Sequence, residues 1–255
     1  MMGAPCARHL AEAGHSVALI AAPEPTAGDG GPWGSHYDAG RITRRIAHDR
    51  DWARLSAASI ARYRDIEARS GETVFAEVGA AMAGLRTGPL AGFTEGFLAV
   101  AGDTDGVEIT EDPGATGWKM PEGSVTAWER GGGWIDPRAM VRAQTRLAGA
   151  AGAQVLVQAA AARDGTDVLL ADGPRLSGGH VVVATGPHAG IDGLLPARPA
   201  TTIWARTIAF VEVDAAEAGR LAGMPTMIWV PGPDWDPDLY ALPPIRYPDG
   251  QWYLK

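Results

Sequence analysis

The stretch Met1-Met-Gly-Ala-Pro-Cys-Ala-Arg-His-Leu-Ala-Glu-Ala-Gly-His-Ser-Val-Ala-Leu-Ile-Ala-Ala22 decides the fold. Pro5 to Ala13 reads as a helix, with Cys6, Leu10 and Ala13 on one face. Gly14 is a natural helix stop, and Ser16 to Ala22 is a short β run. Glycine, helix, glycine and strand in that order form the second half of a dinucleotide-binding βαβ unit. Its full fingerprint is G-x-G-x-x-G, and Met1-Met2-Gly3 supplies only the last x-x-G. In such a unit the third glycine lets helix and strand pack closely, and the helix N-terminal amides form an anion site. A small residue opening an ordinary helix reads the same way. At the other end, Gln251-Trp-Tyr-Leu-Lys255 is a strand pattern that stops mid-run. The expectation is a chain cut at both ends, a fragment without the first strand of the unit.

Working outward, 255 residues suit one or two domains. Hydrophobic residues make up 46% and charged residues 20%, which excludes wholesale disorder. The net charge of −8 argues against a general nucleic-acid or anionic-membrane binder, which would concentrate positive charge. Cys6 is the single cysteine, so an internal disulfide framework and Cys-rich metal sites are excluded. No apolar run approaches the roughly 20 residues needed to cross a bilayer, and the start lacks a secretory core. The expected setting is cytoplasmic, with no metal. His9, His15, His48, His180 and His188 show no zinc-like pairing, and no HExxH, G-x-S-x-G or GKS motif is present.

Between the ends, Pro23 to Asp38 reads as a loop and Asp51 to about Arg69 as a helix capped by Asp51, with Trp52, Leu55, Tyr63 and Ile66 on its apolar stripe. Thr73 to Leu85 has β character broken at Gly79. Thr94 to Val100 reads as a helix, and Val107 to Thr110 and Ser124 to Trp128 as strands. Gly131 to Ile135 ends a loop, and Asp136-Pro137 caps and opens a helix running to about Ala150. Val155 to Val157, Asp167 to Ala171 and His180 to Ala184 follow as strands, the last apolar enough for burial on both faces. After Pro199 the pattern turns antiparallel: β-rich Thr201 to Val213, a helix over Asp214 to Ala222, then strands at Met227 to Val230, Leu239 to Leu242 and Gln251 to Lys255.

Four motifs in order carry a resemblance: Gly3 with its helix and strand, Gly34-Ser-His-Tyr-Asp-Ala-Gly-Arg-Ile-Thr-Arg-Arg-Ile46, Gly132-Gly-Trp-Ile-Asp-Pro137, and Val182-Val-Ala-Thr-Gly-Pro187. Together they resemble the D-amino-acid oxidase superfamily of FAD-dependent amine oxidoreductases, nearest its monomeric sarcosine oxidase branch, over essentially the whole chain. The resemblance implies an α/β fold in which an FAD-binding Rossmann-like domain (1–79 and 131–198) is interleaved with a mostly antiparallel α+β substrate domain (80–130 and 199–255). It also implies FAD, a small amine or amino-acid substrate, and oxidation of a C–N bond. Electrons pass to the flavin and then to oxygen or another acceptor.

The resemblance implies roles residue by residue. Gly3 is the last fingerprint glycine. Ser35 and His36 belong to the segment near flavin and pyrophosphate. Arg41 lies near the flavin ring system and Arg44 close to the active site, where guanidinium charge suits phosphate or anionic flavin. Ala184, Thr185 and Gly186 form the turn where the dinucleotide approaches backbone, and Ala161 is the position whose backbone meets adenine. Tyr240 lies on the substrate side. Lys255 is the lysine held over the flavin, whose cation favours the negative charge that develops on oxygen.

The chain departs from the family at the end of the second strand, where Ala21 replaces the acidic residue that binds the adenosine ribose; Glu24 follows three residues on. Two other readings stay open. One is an inactive fragment or pseudo-enzyme with an incomplete cofactor site. The other is an NAD(P)-dependent dehydrogenase, against which the long interval before Val181 and the late antiparallel segment weigh.

Overall fold

The computed structural model describes residues 1–26, 33–112, 114–190, 193–197, 199–202, 207–230 and 239–255. Residues 203–206 of the expected β-rich stretch therefore lie outside the described residues. The helices are α1 (Gly3–Glu12), α2 (Arg50–Ser70), α3 (Ala91–Gly102), α4 (Pro137–Ala150) and α5 (Ala215–Leu221). The strands begin with β1 (Ala18–Ala21), β2 (Arg41–Thr43), β3 (Phe75–Ala76), β4 (Ala80–Leu85), β5 (Val107–Thr110), β6 (Ser124–Glu129), β7 (Gly133–Ile135) and β8 (Gln154–Val157). They continue with β9 (Ala160–Asp164), β10 (Asp167–Leu170), β11 (Arg175–Ser177), β12 (Val211–Val213), β13 (Thr226–Trp229), β14 (Leu239–Ala241), β15 (Ile245–Arg246) and β16 (Trp252–Leu254). The fold is mixed α/β, as the resemblance implies. Two units divide the chain: residues 1–38, 68–72 and 137–206, and residues 39–67, 73–136 and 207–255.

In the first unit, α1 leads through Gly14 (φ +85°) into β1, which pairs in parallel with β8. Pro5 sits in the first turn of α1, where the missing N–H removes a donor that has no intrahelical acceptor. The buried face of α1 is Ala4, Ala7, Arg8 and Ala11, not the expected Cys6, Leu10 and Ala13. Ala7 and Ala11 cluster with Ala148 and Ala153, with Val17 and Leu19 alongside. Alanines let α1 and α4 approach closely, and close approach rather than side-chain hydrophobicity sets the phase. The other edge of β1 has no partner among the described residues.

The expected strand at His180 to Ala184 does not form, and Val182 is 65% exposed. A strand exists only by bonding a neighbour, and no described strand lies beside this segment. A separate antiparallel sheet, ordered β11-β10-β9, completes the unit.

The second unit is built on a five-stranded sheet, ordered β14-β13-β4-β6-β5, in which only β13 and β4 run parallel. One face buries Met82, Val125, Ala127 and Val230 under Phe97, Leu98 and Ala101 of α3. On the other, Ala81, Ala83 and Met227 lie under Trp118, Trp128 and Trp229. These tryptophans pack on a floor of alanines. A second sheet, β2-β7-β3, explains the glycines before Trp134. A Cβ on Gly132 would lie 2.7 Å from the Ala80 Cβ, and one on Gly133 (φ +156°) 2.0 Å from the Ala76 carbonyl oxygen. The third sheet, β12-β16-β15, carries the end of the described chain.

α2 is capped by Asp49, whose carboxylate accepts from the Trp52 N–H at 2.8 Å, rather than by the expected Asp51. Its buried stripe runs through Ala53, Tyr63 and Ile66, leaving Trp52 and Leu55 exposed, against expectation.

Candidate functional site

In the first unit, Gly3 opens α1, whose first N–H groups have no acceptor within the helix. A Cβ on Gly3 would touch the Cβ of Ala184 at 3.4 Å, so the helix start lies directly against the 184–186 turn. Thr185 Oγ1 in that turn is buried with no hydrogen-bond partner among the described residues. Gly186 follows at φ +57° and begins a 3-10 turn. A buried hydroxyl left so is costly, and a bound ligand or a water would pair with it.

Ser35 and His36 lie in a tight turn, with Tyr37 N–H donating to Gly34 O at 2.9 Å and Asp38 N–H to His36 O at 2.8 Å. Gly34 lets the His36 ring lie against the turn, since a Cβ there would stand 2.9 Å from His36 Cε1 and shift the ring. Burial pushes the His36 imidazole below its ordinary pKa; the amino terminus and Arg138 act in the same sense and Glu24 opposes them. The ring is therefore neutral at pH 7. Arg138 lies over the Tyr37 ring at 4.1 Å and pairs with Glu24 at 2.9 Å, and Trp33 stacks on Tyr37 at 4.6 Å. Ala161, by contrast, is an exposed residue of β9 in the separate sheet.

In the second unit, Arg41 begins β2 and Arg44 follows its end. Burial lowers the Arg44 pKa, Glu129 opposes that shift, and Arg44 Nε is buried without a hydrogen-bond partner among the described residues. Glu129 was not singled out from the sequence. It is fully buried and accepts from Arg45 N at 2.5 Å, Arg45 Nε at 2.7 Å and Ile46 N at 3.2 Å. One signal could have found it: the period-2 pattern of β6 puts Glu129 on the same face as the core residues Val125 and Ala127. A carboxylate there needs partners.

Lys255 is 7% exposed. Its Nζ donates to Gly40 O at 3.1 Å and lies 5.5 Å from the centre of the Tyr240 ring. Its own carbonyl accepts from Leu242 N at 2.8 Å. Gly40 admits this packing because a Cβ would meet Ile245 Cδ1 at 2.3 Å. Two expected residues, Tyr240 and Lys255, thus meet, and Lys255 joins them to Gly40 just before the start of β2. A cavity of about 300 Å³ in the same unit, lined by Val74, Phe75, Trp134, Asp136, Arg246 and Trp252 among others, holds Trp134 and Asp136 of the third motif but none of the candidate catalytic or cofactor residues. Among the described residues no helix is long and apolar enough to cross a membrane, and no acidic, histidine or cysteine cluster could hold a metal ion.

The sequence model of the FAD dependent oxidoreductase family, DAO, matches residues 1–253. The chain belongs to this family. Solved structures share its fold at low identity. A NikD variant, described as an unusual amino acid oxidase essential for nikkomycin biosynthesis, is 20% identical with a TM-score of 0.66 over 98% of this chain. Iminodiacetate oxidase from Chelativorans sp. BNC1 is 18% identical (TM-score 0.63, 98% of this chain and 68% of that one). Glycine oxidase from Geobacillus kaustophilus is also 18% identical (TM-score 0.63, 99% and 67%). The chain spans 65% of the length of NikD. A comparison with curated protein sequences gave no match. FAD, the group the family name prints, fits the residues present. The first unit offers a glycine-started helix, an unpaired buried hydroxyl beside it and a turn with positive φ, all suited to a close dinucleotide.

Proposed function

We propose that this protein uses FAD to oxidise a C–N bond of a small amine or amino acid, with the electrons leaving to oxygen or another acceptor. The placement of Lys255 carries the reading: a buried ammonium, fixed by Gly40 O and by its own backbone, over the ring of Tyr240. Bound FAD would supply the acceptor for the hydride equivalent. The residues of the chain supply the rest. The start of α1 with Gly3, the Ser35–His36 turn, and Ala184, Thr185 and Gly186 hold the dinucleotide. Arg41 and the desolvated Arg44 provide positive charge for anionic groups of cofactor and substrate. Tyr240 shapes the substrate side, and Lys255 holds a charge where negative charge develops on oxygen.

The test starts with the full chain mixed with FAD, passed over gel filtration and read in the visible. Co-eluting flavin that bleaches anaerobically with sarcosine, glycine, or an N-methylated or D-amino acid supports the reading; folded protein that holds no flavin overturns it. K255M is expected to slow reoxidation by oxygen about 100-fold while leaving anaerobic bleaching nearly unchanged. Unchanged reoxidation removes that role from Lys255.

A further inference from the structure

A dinucleotide-binding unit places an acidic residue at the end of its second strand, where it accepts from the adenosine ribose hydroxyls. Here that place holds Ala21, the last residue of β1. The nearest carboxylate along the chain is Glu24, and the structure holds it firmly. Arg138, the second residue of α4, pairs with Glu24 Oε1 at 2.9 Å. Arg138 is itself fixed over the Tyr37 ring at 4.1 Å, and Tyr37 is held by the stacked Trp33 at 4.6 Å. Glu24 acts electrostatically on His36, and His36 also feels the amino terminus just before α1. The carboxylate thus lies just past the end of β1, the strand end beside which such a unit seats the ribose, and is tied there to the start of α4. The Glu24 side chain is 46% exposed, and a carboxylate has about four acceptor positions, so the Arg138 pair leaves acceptor capacity facing outward.

We propose that Glu24 is the carboxylate that binds the ribose hydroxyls of the adenosine half of FAD, with Arg138 as its positioning residue. The acceptor comes from the loop after the strand and is fastened by α4, an arrangement that replaces the strand-end acid. The proposal rests on the FAD reading above.

Binding of ADP and 2′-deoxy-ADP to the full chain, measured by calorimetry, tests it, with FAD binding followed by flavin fluorescence. The unmodified chain should bind ADP about tenfold more tightly than 2′-deoxy-ADP. E24Q should weaken ADP and FAD binding about tenfold or more and weaken 2′-deoxy-ADP, which keeps only the 3′-hydroxyl, by less, erasing the discrimination. R138M should reduce the discrimination in part, because the carboxylate remains but is no longer held. Retained discrimination in E24Q overturns the role of Glu24 and leaves the FAD reading standing. Loss of ADP and FAD binding by the unmodified chain overturns both. Circular dichroism confirms the fold of each variant, and E24D, which keeps the charge on a shorter stem, should fall between E24Q and the unmodified chain.

Discussion

Glu129 shows at the residue scale how a single buried group organises a site it need not touch. Its carboxylate gathers two backbone N–H groups and the Arg45 guanidinium, and so fixes the turn that begins at Arg44. Thr43, just before, is held by its hydroxyl contact with Tyr63 at 3.0 Å. Arg44 is thus pinned on both sides along the backbone. Removing one partner of a buried pair leaves the other uncompensated, so E129A should lower stability by about 3 kcal/mol in urea denaturation. E129Q keeps an acceptor for the backbone donors and should lose less than half of that. Equal losses would mean that charge, not acceptor geometry, holds the turn. The pairings of Lys255 were not legible from spacing: its partner Gly40 lies 215 residues away. Only the resemblance singled out Lys255 and Tyr240. Glu129 escaped because the strand reading stopped at Trp128, one residue short of it.

Elements were legible where their signals are local. The break at Gly79 is real because that residue has φ +87°. Asp214 caps α5 by accepting from the Glu217 N–H at 2.8 Å. Strand β7 was missed because it exists by pairing with the distant β2 and β3, and β9, β11 and β15 because they lack an alternating apolar pattern, although each pairs with a strand close by in the chain. The stripes of α1 and α2 were misphased because alanine-rich packing, not the largest side chains, set which face is buried. The link between α2 and β3 depends on Glu67, whose Oε1 accepts from Val74 N at 2.8 Å and Phe75 N at 2.9 Å. Burial pushes the Glu67 carboxyl up, but the Arg64 guanidinium and these two N–H groups outweigh it, and its pKa lies below the usual range. A depressed carboxylate pKa means that the unfolded chain binds more protons in that window, so this stabilisation is complete above about pH 4.3 and is lost as pH falls through the folded value. E67Q should therefore flatten the acid limb of the stability profile and cost about 1–2 kcal/mol at neutral pH. An unchanged acid limb would assign the linkage to other carboxylates.

At the scale of the whole molecule, the sheet that the opening stretch predicted is present among the described residues as the pair β1 and β8. The reading of a dinucleotide-binding unit was legible because glycine, helix and strand follow one another in sequence. The fate of Val181 to Val183 was not, because strand formation depends on a neighbour that sequence reading has to assume. The result is a short parallel ribbon with open edges among the described residues, and with Val157 of β8 67% exposed. Unpaired strand edges beside apolar side chains are templates for other chains. The net charge of −8 opposes such encounters, but its reach is only about 8 Å at physiological ionic strength. Colloidal behaviour thus becomes a contest between a repulsion that salt screens and an edge attraction that it does not. Light scattering on the isolated chain should show association that grows with both concentration and added salt. V157K, a charge set on the ribbon, should suppress it, and an equally salt-sensitive V157K protein would place the sticky surface elsewhere.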